Sequence, residues 1–234
     1  MSKSPTRTHL TAKTSTLVDR NQLAAFDLVR LRSVLYPAPV RSPVGGEFVE
    51  FGEDILGEQD GDGRPLDLEQ KLVPASVLFP IVLRGDAPSV LLTQRTAHLR
   101  DHPGQISFPG GRQESGDLSP AHTALREAEE EIGLAAARVE IIGYLPEYHT
   151  VTAYRVTPVV ATVTPPIELR PDPFEVAEIF EVPLAFLMDV ANHQTHELQY
   201  RGRLRQYVAM PYGNYFIWGA TAGIIRSLAR LLET

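Results

Sequence analysis

The segment from Gly110 to Leu134 reads GGRQESGDLSPAHTALREAEEEIGL and carries the strongest structural signal in the chain. A helix is predicted over 120–132, because Ser119 offers an N-cap, Pro120 suits the first turn and Gly133 follows the last apolar position. At about 100° per residue, three glutamates of this helix fall within an arc of roughly 100°: Glu127, Glu130 and Glu131. The apolar residues form a separate stripe about 140° away: Ala121, Leu125, Ala128 and Ile132. One face therefore packs while the other presents carboxylates together.

The grouping of carboxylates on one helix face has two explanations. A run such as Glu129 to Glu131 is often only a solvated helix face. Like charges four residues apart, such as Glu127 and Glu131, nevertheless destabilise an isolated helix, and a divalent cation would remove that cost. Magnesium prefers hard oxygen ligands and is commonly held by a few carboxylates together with substrate phosphates. Gly110 and Gly111 favour this second explanation, because they permit close approach of the backbone in front of the helix.

The chain beyond Pro74 alternates β-rich runs with Gly, Pro and Asp, a texture that predicts short strands separated by turns. We expect these strands at 75–84, 90–95, 105–108, 139–145, 156–163 and 176–182. A hairpin is expected around Arg201 and Gly202, and an amphipathic helix from Ile217 to Leu232 is expected to carry Trp218 in its core-facing stripe. This pattern predicts a mixed α/β fold without the regular βαβ repeat of a doubly wound sheet.

Composition and charge exclude several functional classes. The chain of 234 residues has 29 acidic and 22 basic residues and a formal net charge of −7, so no nucleic-acid partner is expected. It contains no cysteine, which excludes disulfides, Cys-ligated zinc and a thiol nucleophile. Its apolar runs are far shorter than the ~20 residues needed to cross a bilayer, so no membrane partner is expected either. This composition is still compatible with a local basic pocket for a phosphorylated small molecule.

The first 73 residues are expected to lie outside the main domain. Residues 1–20 are rich in Ser, Thr and basic residues, and we expect a flexible tail, although this composition is also typical of an organellar transit peptide. Residues 21–73 predict an accessory helix from Asn21 to Tyr36 and then an irregular linker rich in Gly and Pro. The expected location is the cytoplasm, or an organellar matrix if the tail is a transit peptide. The accessory helix is also a candidate contact for a homodimer.

The segment 110–134 resembles the signature of the Nudix hydrolases, G-x5-E-x7-R-E-U-x-E-E-x-G-U, in which U is aliphatic. The match is close from Arg126 to Leu134. The front half departs from the signature, because the first acid is Asp117 rather than Glu and eight residues, not seven, separate it from Arg126. Together with the run LLTQRTAHLRDHPGQISFPGG at 91–111, these departures resemble the coenzyme A pyrophosphatase branch of the family. The resemblance covers about residues 74–230.

This resemblance implies a Nudix α/β/α sandwich with a mixed β-sheet, in a domain at 74–234. It also implies Mg²⁺- or Mn²⁺-dependent hydrolysis of the diphosphate of coenzyme A (CoA) or an acyl-CoA, giving 4′-phosphopantetheine and adenosine 3′,5′-bisphosphate. The catalytic residues would be Arg126, Glu127, Glu130 and Glu131. The three glutamates among them would also bind the metal, with Arg126 orienting them. The residues on the substrate side would be Arg95, His102, Gln105, Gly110 and Gly111.

The resemblance leaves the general base and the substrate open. We expect Glu130 or Glu131 to be the base, although Asp117, Glu147 and Glu175 are also available. The alternative substrates are other nucleoside diphosphates, such as ADP-ribose or NADH. A further alternative is a noncatalytic Nudix-fold nucleotide sensor. Such a sensor is expected to have lost carboxylates of the signature, and this chain retains them.

Overall fold

The computed structural model of the protein describes residues 28–41, 72–85, 87–99, 102–150, 152–200 and 203–233. The expected tail, the start of the accessory helix and most of the linker lie outside these residues. The described part contains eleven strands: β1 (Val73–Val82), β2 (Ser89–Arg95), β3 (Ile106–Ser107), β4 (Gly110–Arg112), β5 (Val139–Tyr144), β6 (Tyr148–His149), β7 (Tyr154–Val163), β8 (Val176–Pro183), β9 (Gln194–Tyr200), β10 (Arg203–Tyr212) and β11 (Tyr215–Trp218). Its four α-helices are α1 (Leu28–Val34), α2 (Pro120–Ile132), α3 (Leu184–Met188) and α4 (Gly219–Glu233).

The main sheet is mixed and is organised around β1. Strands β1 and β7 pair in parallel from Val73 opposite Tyr154 to Val82 opposite Val163. All other pairings in this sheet are antiparallel: β2 and β4 pair with β1, β3 and β8 with β2, and β5 and β6 with β7. A second sheet in the described part has the order β11-β10-β9.

Two apolar layers cover the two faces of the main sheet, because successive side chains of a strand point to opposite sides. Leu78 of β1 packs with Ala128 of α2, whereas the next residue, Phe79, belongs to the layer that includes Ile225 of α4. Both strand residues are fully buried, and burial of such side chains stabilises the fold by about 1.5–3 kcal/mol each. The sheet thus lies between α2 and α4, which confirms the expected mixed α/β fold of α/β/α type.

The bounds of α2 agree with the local chemistry of its sequence. The Oγ atom of Ser119 accepts a hydrogen bond of 3.1 Å from the backbone N–H of His122, as an N-cap does. At the other end, Gly133 has φ = 66° and donates its backbone N–H to the carbonyl oxygens of Ala128 and Glu129. The left-handed conformation at Gly133 explains why the helix ends there.

The segment 28–41 is tied to the main domain. Leu31 of α1 is fully buried in the same apolar layer as α4. Tyr36 and Tyr144 exchange two backbone hydrogen bonds of 3.0 and 2.9 Å, and the N–H of Glu147 donates to the carbonyl of Val40 at 3.0 Å. The described part of the accessory segment therefore contributes to the core, because Leu31 packs in the apolar layer beside α4.

The expected C-terminal helix begins two residues later than the pattern predicts. Ile217 and Trp218 belong to β11, where they pair with Met210 and Ala209 of β10. The helix starts at Gly219, whose φ of 64° allows the chain to turn out of the strand. The prediction that Trp218 lies in a core-facing helix stripe is therefore wrong, and this side chain is 36% exposed. No helix in the described ranges is long and apolar enough to span a membrane.

Candidate active site

Two glycines allow helix α2 to approach the main sheet closely. Gly110 and Gly111 lie in β4, opposite Val77 and Ser76 of β1. A Cβ atom on Gly111 would lie 2.5 Å from the carboxylate of Glu127, and one on Gly110 would clash with the carbonyl oxygen of Ser76. Any side chain at either position would therefore displace the glutamate or the strand.

Glu131 lies behind this glycine pair and is buried. Its side chain accepts a hydrogen bond of 3.2 Å from the backbone N–H of Gly110, and the residue is only 6% exposed. Burial raises the pKa of Glu131 to about 8, and the negative charges of Glu127 and Glu175 act in the same direction. The Gly110 N–H and the positive charge of Arg95 oppose this rise. Glu131 can therefore take up or release a proton near neutral pH.

Glu127 is also partly buried near other carboxylates. Its pKa is raised above the usual range by burial, and the charges of Glu130 and Glu175 add to this effect. Arg126 opposes the rise, since its Nη2 atom lies 3.0 Å from Oε1 of Glu127.

Within the described ranges, no three Asp, Glu or His side chains are arranged as a ready-made metal site.

Arg126 connects the helix face to the loop before it. Its Nε and Nη2 atoms donate to the two carboxylate oxygens of Asp117 at 3.1 and 3.0 Å, and its Nη1 donates to Glu130 at 2.9 Å. A further hydrogen bond of 3.2 Å joins Nη2 to the carbonyl of Arg112. Arg126 therefore holds Glu127 and Glu130 from one side and is itself held by Asp117.

Asp117 is a buried anchor in spite of its departure from the family signature. Its side chain is only 2% exposed and also accepts hydrogen bonds from the N–H of Glu114 at 2.9 Å and from Oγ1 of Thr123 at 3.0 Å. The Arg126 guanidinium holds the pKa of this carboxyl well below its usual range. The extra residue between Asp117 and Arg126 thus leaves the two groups in a bidentate ion pair.

A cavity of about 730 Å³ opens beside the glycine pair. It brings together seven of the residues expected from the sequence: Arg95, His102, Gln105, Gly110, Gly111, Glu127 and Glu131. Arg126 and Glu130 are not among the residues that line it. The side chain of Glu130 is 58% exposed and turned toward Arg126.

Arg95 brings positive charge to the cavity at the end of β2. Its backbone N–H donates to the carbonyl of Gln105 at 2.9 Å, so the two substrate-side candidates are joined through the main chain. The Nε atom of Arg95 is buried and has no hydrogen-bond partner within the described part of the chain. A buried guanidinium donor without a partner is suited to an anionic ligand.

Several cavity residues carry no strong local signal in the sequence. Glu175, considered above only as one available base, lines the cavity and raises the pKa of both Glu127 and Glu131. Tyr207 and Trp218 line it from the second sheet, which the strand pattern alone could not orient. Glu147, another base considered above, lies instead 3.6 Å from Arg155.

Comparison with known proteins agrees with this fold. The model of the NUDIX domain matches residues 74–203. The chain is 46% identical over 155 residues to NudL of Escherichia coli (strain K12), which is described as an uncharacterized Nudix hydrolase; the match covers 66% of this chain and 80% of the relative. The same figures hold for NudL of Shigella boydii serotype 18. The protein belongs to the Nudix hydrolase family, whose members generally use divalent metal ions.

Solved structures with the same family name were also found. One is a Nudix hydrolase from M. smegmatis, RenU, at 21% identity and a TM-score of 0.48, covering 69% of this chain and 86% of that chain. Another is the NUDIX domain of Shewanella oneidensis NrtR complexed with ADP ribose, at 18% identity and a TM-score of 0.44, covering 77% of this chain and 97% of that chain.

Proposed function

We propose that this protein is a metal-dependent pyrophosphohydrolase that cleaves the diphosphate of CoA or an acyl-CoA into 4′-phosphopantetheine and adenosine 3′,5′-bisphosphate. One observation carries the chemistry: the clustered carboxylates of Glu127, Glu131 and Glu175 share a cavity with Arg95. Such a site can accommodate both a cation and a phosphorylated substrate. The choice of CoA rests on the segment 91–111 and on the two departures at Asp117.

The donor set fits Mg²⁺ or Mn²⁺. The glutamates offer the hard oxygen ligands that these ions prefer. Burial and, to a smaller extent, neighbouring carboxylates raise the pKa of Glu127 and of Glu131, and a divalent cation would favour their charged forms. Glu127, Glu130 and Glu131 are the proposed ligands, and Glu130 would have to turn away from Arg126 to take part. When bound, the metal would lower the pKa of a water and neutralise charge on the diphosphate.

The residues of the chain itself divide the remaining work. Arg126, held by Asp117, positions Glu127 through the 3.0 Å contact described above. Glu131 is the proposed general base, because it is a buried carboxyl group that lines the cavity and accepts the Gly110 N–H. This assignment selects one of the two bases expected from the sequence.

The substrate side is proposed to bind the diphosphate. Arg95 would donate from its unpartnered Nε to a phosphate oxygen, which forms a strong charge-assisted hydrogen bond. His102 is exposed and Gln105 half-buried at the cavity wall, where both can offer further hydrogen bonds. Gly110 and Gly111 line the cavity and let Glu127 lie close to the sheet at the edge of the proposed substrate site. The partner is thus a small molecule, and the expected homodimer and cytoplasmic or organellar location stay predictions.

The proposal is tested by following product release from four substrates with Mg²⁺: CoA, 3′-dephospho-CoA, ADP-ribose and NADH. We expect CoA to give adenosine 3′,5′-bisphosphate and 4′-phosphopantetheine, a loss of turnover with EDTA, and slower turnover of the substrates that lack the 3′-phosphate or the pantetheine arm. Turnover of ADP-ribose or NADH with CoA untouched would overturn the choice of substrate. Binding without turnover of any substrate by folded, metal-loaded protein would favour a nucleotide sensor.

A further inference from the structure

The second sheet presents aromatic residues that the core does not use. On one of its faces, Val208 and Met210 of β10 and Ile217 of β11 are buried in the apolar layer shared with α4. Because side chains alternate along a strand, Tyr207 and Trp218 point to the opposite face. Trp218 is 36% exposed there, although a large apolar ring is usually buried when it only serves the fold.

The register of the strands brings these two rings together. Trp218 is paired with Ala209, two residues from Tyr207, so the two rings are diagonal neighbours on one face. Their centroids are 5.5 Å apart at an interplanar angle of 67°. On its other side, Tyr207 stacks on His196 of β9 at 5.4 Å and 21°. These contacts hold the Tyr207 ring in place before any ligand binds, which reduces the cost of binding.

Both rings line the cavity that contains Glu131 and Arg95. The start of α4 is also joined to the substrate side, since Oγ1 of Thr221 donates to the carbonyl of Ile106 at 2.9 Å. Ile106 follows Gln105, whose carbonyl accepts from the N–H of Arg95. The aromatic surface and the proposed phosphate-binding end therefore belong to one continuous, hydrogen-bonded wall.

We propose that Tyr207 and Trp218 bind the nucleobase of the substrate by stacking. This inference rests on the proposed function in one respect, namely that the substrate is a nucleotide diphosphate. A planar heteroaromatic ring can use the exposed face of an aromatic side chain, and each base stacked in this way strengthens binding substantially. The pantetheine arm is a flexible, non-aromatic chain with polar amides and gains no comparable π-stacking. The base is therefore the part of the substrate that fits this surface.

The sequence provides a direct probe, because Trp218 is the only tryptophan in the chain. The intrinsic fluorescence of the full-length protein is titrated with the two proposed products in the presence of Mg²⁺. Adenosine 3′,5′-bisphosphate, which has a base, is expected to quench the fluorescence saturably, whereas 4′-phosphopantetheine is not. The reverse result would assign the surface to the pantetheine arm and overturn the proposal, as would the absence of quenching by both at concentrations that inhibit turnover.

Substitutions add a second readout. Trp218→Leu is expected to raise KM for CoA by roughly 5- to 150-fold with little change in kcat, because stacking to a base is lost in both ground and transition states. Trp218→Phe should restore most of the affinity. The matched control is Phe216→Leu, since Phe216 lies on the same strand, is 43% exposed and is not among the cavity-lining residues. An unchanged KM in Trp218→Leu would contradict the proposal.

The two proposals fail in different ways. Quenching by adenosine 3′,5′-bisphosphate without hydrolysis of CoA would leave the base-binding surface in place and remove the substrate assignment. Hydrolysis of CoA with the KM unchanged in Trp218→Leu would leave the function in place and remove the surface.

Discussion

The carboxylates on and beside helix α2 form two groups that differ in the charge around them. Asp117, which reaches the helix from the preceding loop, and Glu130 both accept hydrogen bonds from Arg126, and the pKa of Asp117 is lowered. Glu127 and Glu131 lie toward the glycine pair, and burial raises the pKa of each. The Arg126 guanidinium balances the first group. It also contacts Glu127 at 3.0 Å, but burial and the neighbouring carboxylates outweigh this contact, so the second group concentrates negative charge in a cavity. The difference separates groups that hold the site together from groups poised to bind and react.

The largest effect is expected on kcat, when the buried carboxylate of Glu131 is removed. Glu131→Gln should lower kcat for CoA by about 10²- to 10⁴-fold, since it removes a carboxylate that can transfer a proton. Glu129→Gln is the matched control, because Glu129 is a neighbour in the same glutamate run but is exposed. Steady-state kinetics on both variants checks this prediction. Equal activity of the two variants would show that the buried Glu131 is no more important for catalysis than the exposed Glu129.

The same substitution should have the opposite effect on stability. A carboxyl group whose pKa is raised by folding stabilises the protein below its unfolded pKa of about 4.3 and loses this contribution as the pH rises through about 8. Metal-free Glu131→Gln should therefore be more stable than the wild type at pH 9, by up to about 5 kcal/mol. Urea unfolding with EDTA from pH 5 to 9 measures this. If the variant were less stable than the wild type at pH 9, the conclusion that the charged Glu131 carboxylate destabilises the folded protein would be wrong.

Substitution of Asp117 tests the group of carboxylates that is paired with Arg126. Asp117→Asn should lower the free energy of unfolding by about 1 to 3 kcal/mol, because it weakens a buried acceptor of Arg126. A lowered folded pKa contributes stability above the unfolded value of about 3.9, and this contribution is lost as the pH falls through the folded value. The difference between wild type and variant should thus persist at neutral pH and shrink in strong acid. Glu114→Gln, at an exposed position, serves as the control for the unfolding measurements.

The smallest effect on stability is expected for Glu130→Gln, and the Mg²⁺ dependence of this variant tests whether Glu130 is a metal ligand. Its ion pair with Arg126 is exposed, so Glu130→Gln should change the free energy of unfolding by no more than about 0.5 kcal/mol. If Glu130 also binds the metal, the variant should need more Mg²⁺ for half-maximal activity. An activity equal to that of the wild type at every Mg²⁺ concentration would remove Glu130 from the proposed ligands.

Local chemistry explains which parts of the fold could be predicted. Helix α2 was predicted with its observed bounds, because Ser119, Pro120 and Gly133 act through contacts within a few residues. The longer strands of the main sheet were predicted to within a few residues, because their β-rich runs are bounded by Gly, Pro and Asp. Strands β4, β6 and β11 were not predicted, since a strand of two to four residues exists only through its pairing. Trp218 was misplaced because its environment depends on the register with β10.

The order of residues is enough to predict the Nudix resemblance, helix α2 and the common face of Glu127, Glu130 and Glu131, since positions three and four residues apart are neighbours on any α-helix. The differences among these glutamates arise from contacts that form when the chain folds. Burial and the negative charges of Glu127 and Glu175 raise the pKa of Glu131 against the opposing effect of the Gly110 N–H, whereas Glu130 remains with Arg126. The charge state of a carboxyl group depends on burial and on the groups that distant segments bring within a few ångströms, and that proximity arises only when the chain folds.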